Sequence, residues 1–280
     1  MLRFLPTISA AACAAAPASW LRAGVFVLAA SCMGASAGAA PAASAASATP
    51  AAKTASASAP ASVQQPVSGA IAQRVAACAA CHGDEGRATA DGYYPRIAGK
   101  PEGYLYNQLL NFREGRRKYA AMSYMVDALP DAYLREIAQY FSAQHPPYAE
   151  RAPEPQPPSA AQLERGRVLV SAGDAGRGLP ACMACHGGKL LGLAPAVPGL
   201  IGLPKDYLLG QLGAWKNGTR RALAPDCMAQ IADKLNGEDV AAVAAWLAAQ
   251  PTPDKKAAAA PAVDAAINPK KLPLRCGSMP

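Results

Sequence analysis

The sequence is poor in the large side chains that usually fill a protein core. Only 17 of its 280 residues are aromatic (4 Phe, 3 Trp and 10 Tyr), whereas 68 are alanine. This composition excludes a single large enzyme barrel, a polytopic membrane protein and a coiled coil. The 24 glycines and 26 prolines gather in a few stretches, which indicates linkers between small domains. Small domains with weak cores need additional material to fold stably.

Acidic residues are also few, with 19 Asp and Glu against 27 Lys and Arg and a net charge of +8. A basic excess raises the question of nucleic acid or an anionic membrane surface as a partner. The excess is scattered, however, and its one cluster (Arg113, Arg116, Arg117 and Lys118) lies in an ordinary helix-to-loop segment. That cluster is more typical of a solvated face than of a docking patch for an acidic partner. We therefore expect no nucleic-acid partner.

The N-terminus has the pattern of an export signal. Residues 23–40 form an uncharged run behind Arg22, and Ala35-Ser36-Ala37 offers a cleavage site. These features predict a signal peptide over residues 1–37 and a periplasmic protein. The alternative is membrane association through an uncleaved N-terminus or one lipidated at Cys32, although 18 Ala- and Gly-rich residues are short for a span of ~20.

Low-complexity stretches divide the remainder of the chain. Segments without apolar periodicity cannot offset the entropy lost on ordering, and Pro-rich ones form extended linkers. The sequence predicts, in order, a flexible Ala/Ser/Pro-rich tether (38–66), an N-terminal domain (67–145), a Pro-rich linker (146–158), a C-terminal domain (159–250) and a low-complexity tail with Cys276 (251–280).

The two predicted domains are an internal repeat. Each begins with a Cys-x-x-Cys-His motif, at 78–82 and at 182–186. Further residues recur at nearly constant offsets, among them Tyr104, Gln108, Phe112, Arg117 and Met122, which return as Tyr207, Gln211, Trp215, Arg220 and Met228. The architecture is therefore one module used twice.

The repeated motif predicts covalent haem attachment. Two thiols three positions apart add to the vinyl groups of a haem, and the adjacent imidazole binds the iron from one side. The other interpretations are a redox dithiol, a zinc knuckle and a chance disulfide, but a thioredoxin-like context is missing and each module supplies only three of the four ligands that zinc needs. We predict two c-type haems, attached through Cys78, Cys81, Cys182 and Cys185, with His82 and His186 as iron ligands.

Histidine cannot be the second axial ligand of both irons, because four His would be needed and the chain has three. The third, His145, lies at a helix end before two prolines. Met122 and Met228 follow the two motifs at similar distances, and we place each in a loop before the last helix of its module. A thioether ligand suits low-spin iron and raises its potential. Met122 and Met228 are therefore the predicted axial ligands.

Met125 competes with Met122 for the first iron, since both could reach it. The repeat aligns Met122 with Met228, whereas Met125 aligns with Ile231. We therefore interpret Met125 as a core residue.

The apolar periodicity predicts an all-α fold in which three or so helices of each module surround a porphyrin, which supplies the missing core. The helices are predicted at 70–80, 104–113 and 131–143 in the first module and at 159–170, 207–216 and 238–249 in the second.

The order of motifs resembles the dihaem cytochrome c4 family over about residues 68–250. After the first haem motif the family pattern is carried by Tyr-Pro-Arg-Ile-Ala-Gly (94–99), Tyr-Leu-x-x-Gln-Leu (104–109) and Phe-Arg-x-Gly-x-Arg (112–117), then a Met and a closing aromatic helix. The resemblance implies two tandem class I cytochrome c folds related by a pseudo-twofold axis. It also implies the axial pairs His82 with Met122 and His186 with Met228.

By the same resemblance the protein is a periplasmic electron carrier of the respiratory chain. It would exchange electrons with redox proteins such as a haem-copper membrane oxidase, a quinol–cytochrome c reductase or a periplasmic dehydrogenase.

The chain departs from the family in its tether, in its tail and in Cys227, which directly precedes Met228. Once the haem cysteines and those of the leader are set aside, Cys227 and Cys276 remain, and an oxidising periplasm favours a disulfide between them. The second module also has Pro198-Gly199 where the first has Pro95-Arg96. We therefore expect the two haems to differ in potential.

Two functions of different class remain. No paired carboxylates, nucleophile triad or open coordination position is visible, so we predict no catalytic residues and an electron carrier. The alternative is an enzyme resembling the dihaem thiosulfate dehydrogenases, in which a Cys thiolate ligates a haem, and here Cys227 would have to displace Met228. A related alternative is a cytochrome subunit docked to a dehydrogenase. The carrier is preferred because Met228 keeps its aligned position in the repeat.

Overall fold

The structure, a computed structural model, describes residues 67–89, 92–149, 156–253 and 268–279. The predicted signal peptide, the tether and the lipidation at Cys32 lie outside these residues. None of the helices found in the described ranges has the length and apolar character needed to cross a membrane.

The first module consists of helices joined by loops. They are α1 (Val67–Arg74), α2 (Ala76–His82), α3 (Glu102–Arg113), α4 (Ala120–Val126) and α5 (Asp131–Ser142), with a 3₁₀ turn at Asp84–Gly86. The single helix predicted over 70–80 is interrupted at Val75, which adopts φ −95° and ψ 6°. Val75 is buried in the core, and its β-branched side chain favours a helix only weakly. The helix therefore breaks at Val75, where the side chain packs into the core.

The second module repeats this plan with a small addition. Its helices are α6 (Ala160–Ser171), α7 (Met183–His186), α8 (Lys205–Lys216), α9 (Cys227–Lys234) and α10 (Gly237–Ala249), with a 3₁₀ turn at Ala175–Arg177. The all-α fold predicted from the sequence is confirmed, and the addition is a minimal pair of strands, in which β1 (Gly192–Leu193) pairs antiparallel with β2 (Val197–Pro198). Each strand has only two residues, since the hairpin merely closes the loop after the haem motif.

Each module has its own hydrophobic core. The first is built around Leu134 and Phe141 of α5, and the second around Leu169 of α6 and Val243 of α10. Helices α6 and α10 approach so closely at Gly166 that an added Cβ would collide with the Ala242 carbonyl oxygen. Cys78 and Cys182, the first cysteine of each haem motif, pack against these cores.

The modules meet through the loops that follow α3 and α8. Arg117 and Arg220 form an isolated antiparallel bridge between the two loops. Beside it, the Lys118 amide donates to the Thr219 carbonyl at 2.8 Å, and the Arg221 amide donates to the Arg116 carbonyl at 2.7 Å. Equivalent segments of the repeat therefore pair with each other, which is how a pseudo-twofold arrangement brings two copies of one module together.

Candidate haem sites

Each Cys-x-x-Cys-His motif forms a single helical turn that ends at its histidine. The first occupies α2, and the second occupies α7 and the preceding Cys182. None of the four cysteines of the motifs forms a disulfide, so all four sulfurs are available for attachment to haem. Cys81 is exposed and the other three are partly buried, so the first motif presents one thiol to the core and one to the surface. Burial raises the pKa of the Cys78 thiol and raises that of Cys182 to about 11, so both stay protonated at neutral pH.

The two histidines are held in the form that binds iron. His82 Nδ1 lies 2.9 Å from the Pro95 carbonyl oxygen, and His186 Nδ1 lies 2.8 Å from that of Pro198. Because a carbonyl oxygen only accepts, Nδ1 must carry the proton and donate, which leaves the lone pair of Nε2 for a metal. Burial lowers the pKa of both rings and keeps them neutral. These two thiol–imidazole sets therefore fit the covalent attachment and axial ligation of a haem.

The two candidate methionines lie in short helices, so their predicted placement in loops is wrong. Met122 is the third residue of α4 and Met228 the second of α9, and each is partly buried against the core of its own module. Met125, one turn further along α4, is 40% exposed. The interpretation of Met125 as a core residue is therefore wrong, and the buried residue at the end of α4 is its neighbour Val126.

A polar network between the modules was not recognised from the sequence as functional. Arg117 donates to Gln108 of its own module at 2.9 Å and to Gln211 of the other at 2.6 Å. Arg220 reciprocates, donating to Gln211 at 2.7 Å and to Gln108 at 3.1 Å. Each guanidinium also reaches a tyrosine of the opposite module, Tyr207 from Arg117 and Tyr104 from Arg220. The signal was present in the repeat, because all of these polar residues recur.

This network carries charge that the described part of the protein leaves uncompensated. Neither Arg117 nor Arg220 forms an ion pair with a carboxylate of the described residues, and Arg220 is only 6% exposed. Burial lowers the pKa of Arg220, which reflects the cost of holding its charge away from water. The carboxylates of haem would supply acceptors of the required charge, so the network fits the prosthetic group as well as the motifs do.

Trp215 provides a further test of this fit. It is buried, and its Nε1–H finds no hydrogen-bond partner in the portion of the chain that the structure describes. An unpaired buried donor costs about 1–3 kcal/mol, so an acceptor is expected beside it. A haem carboxylate is such an acceptor. Phe112, its counterpart in the repeat, has no N–H, so this feature belongs to the second module alone.

The tail returns to the second site through a disulfide. Cys227 and Cys276 are bonded, which places the end of the chain beside the residue that precedes Met228. The Gly277 amide donates to the Pro225 carbonyl at 2.9 Å, and Asn107 of the first module donates to the Ser278 carbonyl at 2.9 Å. The tail therefore contacts both modules.

The basic cluster predicted on the helix-to-loop segment is dispersed among internal partners. Arg113 donates to Asp131 at 2.6 Å, Arg116 pairs with Glu114, and Arg117 belongs to the network between the modules. Of the four, Lys118 is exposed. These pairings agree better with structural roles than with a docking patch for an acidic partner.

Comparison with known proteins places this geometry in a family. The model of the Cytochrome c family matches residues 69–144. The chain is 39% identical over 196 residues to a thiosulfate dehydrogenase electron acceptor of Thiomonas intermedia, covering 70% of this chain and 88% of that protein. It is 32% identical over 176 residues to cytochrome c4 of Pseudomonas aeruginosa, covering 62% of this chain and 84% of that one.

Two solved structures agree with these sequence matches. Reduced cytochrome c4 from Pseudomonas stutzeri superposes with a TM-score of 0.54 at 31% identity, over 64% of this chain and 96% of that one. A thiosulfate dehydrogenase (TsdBA) from Marichromatium purpuratum superposes with a TM-score of 0.58 at 33% identity, over 66% of this chain. The match spans only 40% of the length of that second protein.

Proposed function

The chain belongs to the dihaem cytochrome c4 family, and from this membership we propose that it is a periplasmic carrier that takes electrons from a thiosulfate dehydrogenase and delivers them to a respiratory acceptor such as a haem-copper oxidase. The observation that carries the choice of donor is the 39% identity to an electron acceptor of that enzyme, against 32% to cytochrome c4 of Pseudomonas aeruginosa. The two covalent haems supply one-electron chemistry when bound.

In this proposal the first haem is attached through Cys78 and Cys81 and the second through Cys182 and Cys185. His82 and Met122 are the axial ligands of the first iron, and His186 and Met228 those of the second. The bonds from the histidines to Pro95 and Pro198 keep each imidazole in one orientation and one tautomer. Fixed ligands lower the reorganisation that accompanies each electron transfer.

The network between the modules would serve transfer from one haem to the other. Arg117 and Arg220 hold the two loops in one register, and Arg220 is buried there. A hydrogen bond from a charged group to a neutral group is stronger than one between two neutral groups. The two modules therefore form a fixed pair rather than independent units. A fixed separation keeps the rate of internal transfer constant while either module docks to a partner.

The alternative of a thiosulfate dehydrogenase-like enzyme needs a free Cys227 thiolate at the second iron. The disulfide to Cys276 engages that sulfur, and this favours the carrier. The related alternative of a cytochrome subunit docked to a dehydrogenase is supported by the Marichromatium purpuratum protein, which is much longer than the region it shares with this chain.

The test is a stopped-flow reduction of the oxidised holoprotein, followed by haem absorbance. We expect both haems to be reduced when thiosulfate and a thiosulfate dehydrogenase are present together, and to be reoxidised by membranes that contain a haem-copper oxidase. No reduction by the complete mixture would exclude this donor. Reduction by thiosulfate alone would instead support the enzyme.

A matched variant separates the two functions further. Cys276→Ser frees the Cys227 thiol without altering the axial residues. A carrier variant of this kind still fails to react with thiosulfate alone, whereas the enzyme alternative predicts that the freed thiolate creates or increases such a reaction.

A further inference from the structure

Lys100 of the first module reaches into the second module beside its axial histidine. It precedes α3, and its Nζ donates to the Gly199 carbonyl oxygen at 3.2 Å. Gly199 follows Pro198, whose carbonyl accepts the Nδ1–H of His186. A cation of one module therefore lies one peptide unit from the group that orients the iron ligand of the other.

The charge of Lys100 has no neutralising partner in the described residues. The small cavity beside it is lined by Arg96, Tyr148, Leu191, Gly199 and Ile201, none of which is acidic. Burial lowers the pKa of Lys100 to about 8, which still leaves the ammonium mostly protonated at neutral pH. An unpaired cation in partly desolvated surroundings acts over a longer range than an exposed one, because less water screens it.

This charge lies close to the proposed ligand of the second iron. The Gly199 carbonyl that Lys100 binds belongs to the residue directly after Pro198, whose own carbonyl holds His186. Oxidation of an iron bound at His186 would add one positive charge nearby. Repulsion by the Lys100 ammonium would therefore disfavour the ferric state and raise the reduction potential of the second haem.

The repeat makes this contact one-sided. The counterpart of Lys100 at the offset of 103 is Leu203, a buried core residue, so the second module returns no such cation to the first. The contact thus adds to the asymmetry between two sites whose ligands are otherwise equivalent.

We propose that Lys100 is a potential-tuning residue that raises the reduction potential of the second haem and so directs electrons from the first module to the second. The inference rests on the proposed attachment of a haem at His186. It concerns a reduction potential rather than a partner. It can therefore fail while the proposed donor and acceptor are correct, and it can be correct while they are not.

The experiment is an optical redox titration of the holoprotein and of three variants of Lys100. Met122→Ala assigns the two components, because it displaces that of the first haem. Lys100→Met and Lys100→Gln should both lower the potential of the second haem and leave the first unchanged. Lys100→Arg should keep the potential near that of the unaltered protein, since it retains the charge.

Lys189→Met is the matched control. Lys189 lies three residues after His186 and is exposed. Its replacement changes the net charge by the same amount, but we expect a much smaller shift of the haem potential because water and salt screen an exposed charge. The proposal is overturned if Lys100→Met moves the second haem no further than Lys189→Met does, or if both haems move together. It is also overturned if Lys100→Gln retains the original potential, because the hydrogen bond to Gly199 and not the charge would then be responsible.

The ferric sulfur-to-iron charge-transfer band, recorded on the same samples, distinguishes a failure of the underlying site. Its absence from the second haem would contradict Met228 as a ligand. The shift caused by Lys100→Met would still decide whether the lysine tunes the potential.

Discussion

The two modules share their candidate haem-binding residues but differ in the contacts that support the last helix of each module. In the second, Asp239 at the start of α10 is almost fully buried and accepts from Arg165 at 2.8 Å and from Arg177 at 2.6 Å. In the first, Tyr133 at the start of α5 donates to the Arg74 carbonyl at 3.0 Å, near the surface. The repeat thus keeps the candidate haem-binding residues and the residues that contact the other module, while the contacts at the start of the last helix differ.

The disulfide extends this contrast. It joins Cys227, at the start of α9, to a tail residue 49 positions further along the chain. In the first module, the corresponding helix α4 has no cysteine and ends near the exposed side chains of Tyr124 and Met125. The second module therefore has a covalent clamp next to its candidate ligand, and the first module leaves the equivalent helix open to the surface.

Removal of an axial methionine should have the largest effect and tests the part that the modules share. Met122→Ala should lower the potential of the first haem only, and Met228→Ala that of the second only, by a sizeable part of the range of about 0.8 V that axial ligands span. A redox titration with the charge-transfer band as a second readout measures both. Met125→Ala is the control, and a fall in potential there with none in Met122→Ala would reverse the assignment.

Opening the disulfide tests the difference between the modules. Cys276→Ser should lower the free energy of unfolding of the second module by about 2–4 kcal/mol, because the unfolded chain regains the freedom of a long loop. Apart from Trp20, which lies in the predicted signal peptide, the tryptophans are Trp215 and Trp246, so fluorescence during denaturant unfolding reports on the second module.

Reduction of the unaltered protein with dithiothreitol should reproduce the effect of this variant, and the first module should keep its Met ligation at the same denaturant concentration. Thiol labelling of Cys227 in the non-reduced protein would show instead that the clamp is absent.

Loss of the Asp239 carboxylate should be the next largest effect. Asp239→Asn leaves Arg165 and Arg177 without their buried partner, and since both are partly exposed we expect a loss of about 2–3 kcal/mol at neutral pH. Fluorescence-detected unfolding of the second module measures this loss. An unchanged unfolding midpoint would show that water replaces the carboxylate without cost.

The contribution of Asp239 should also depend on pH. Burial raises its pKa, but hydrogen bonds from Arg177, Arg165 and Asn236 outweigh burial and hold the pKa below the ordinary 3.8. A group whose pKa is lower in the folded state stabilises above the unfolded pKa and loses that contribution as pH falls through the folded value. The difference between the unaltered protein and Asp239→Asn should therefore shrink below about pH 4.

The smallest effect is expected at the corresponding place in the first module. Tyr133→Phe removes the hydrogen bond to the Arg74 carbonyl near the surface and should cost about 0.5–1 kcal/mol. Tyr124→Phe, at an 84% exposed residue, serves as the control. The denaturant concentration at which the first haem loses Met ligation measures the stability of both variants. A loss of stability in Tyr133→Phe as large as that in Asp239→Asn would contradict the proposed difference between the modules.

Much of the fold followed from short-range patterns. The helices at 104–113 and 207–216 were predicted to within a few residues, because apolar periodicity and the repeat agreed there. The break at Val75 and the placement of Met122 and Met228 in helices were missed. Each depends on how a side chain packs against elements far away in sequence, which local propensity does not encode.

Which atoms can bind a haem follows from the amino-acid sequence alone, because the spacing of Cys-x-x-Cys-His places two thiols and an imidazole on one helical turn. Which groups of one module act on the other depends on how the folded modules pack. Lys100 lies 99 positions from Gly199, and Arg117 lies 94 from Gln211. Such contacts arise from the packing of two folded modules, whose geometry depends on the sum of many weak interactions rather than on any local motif.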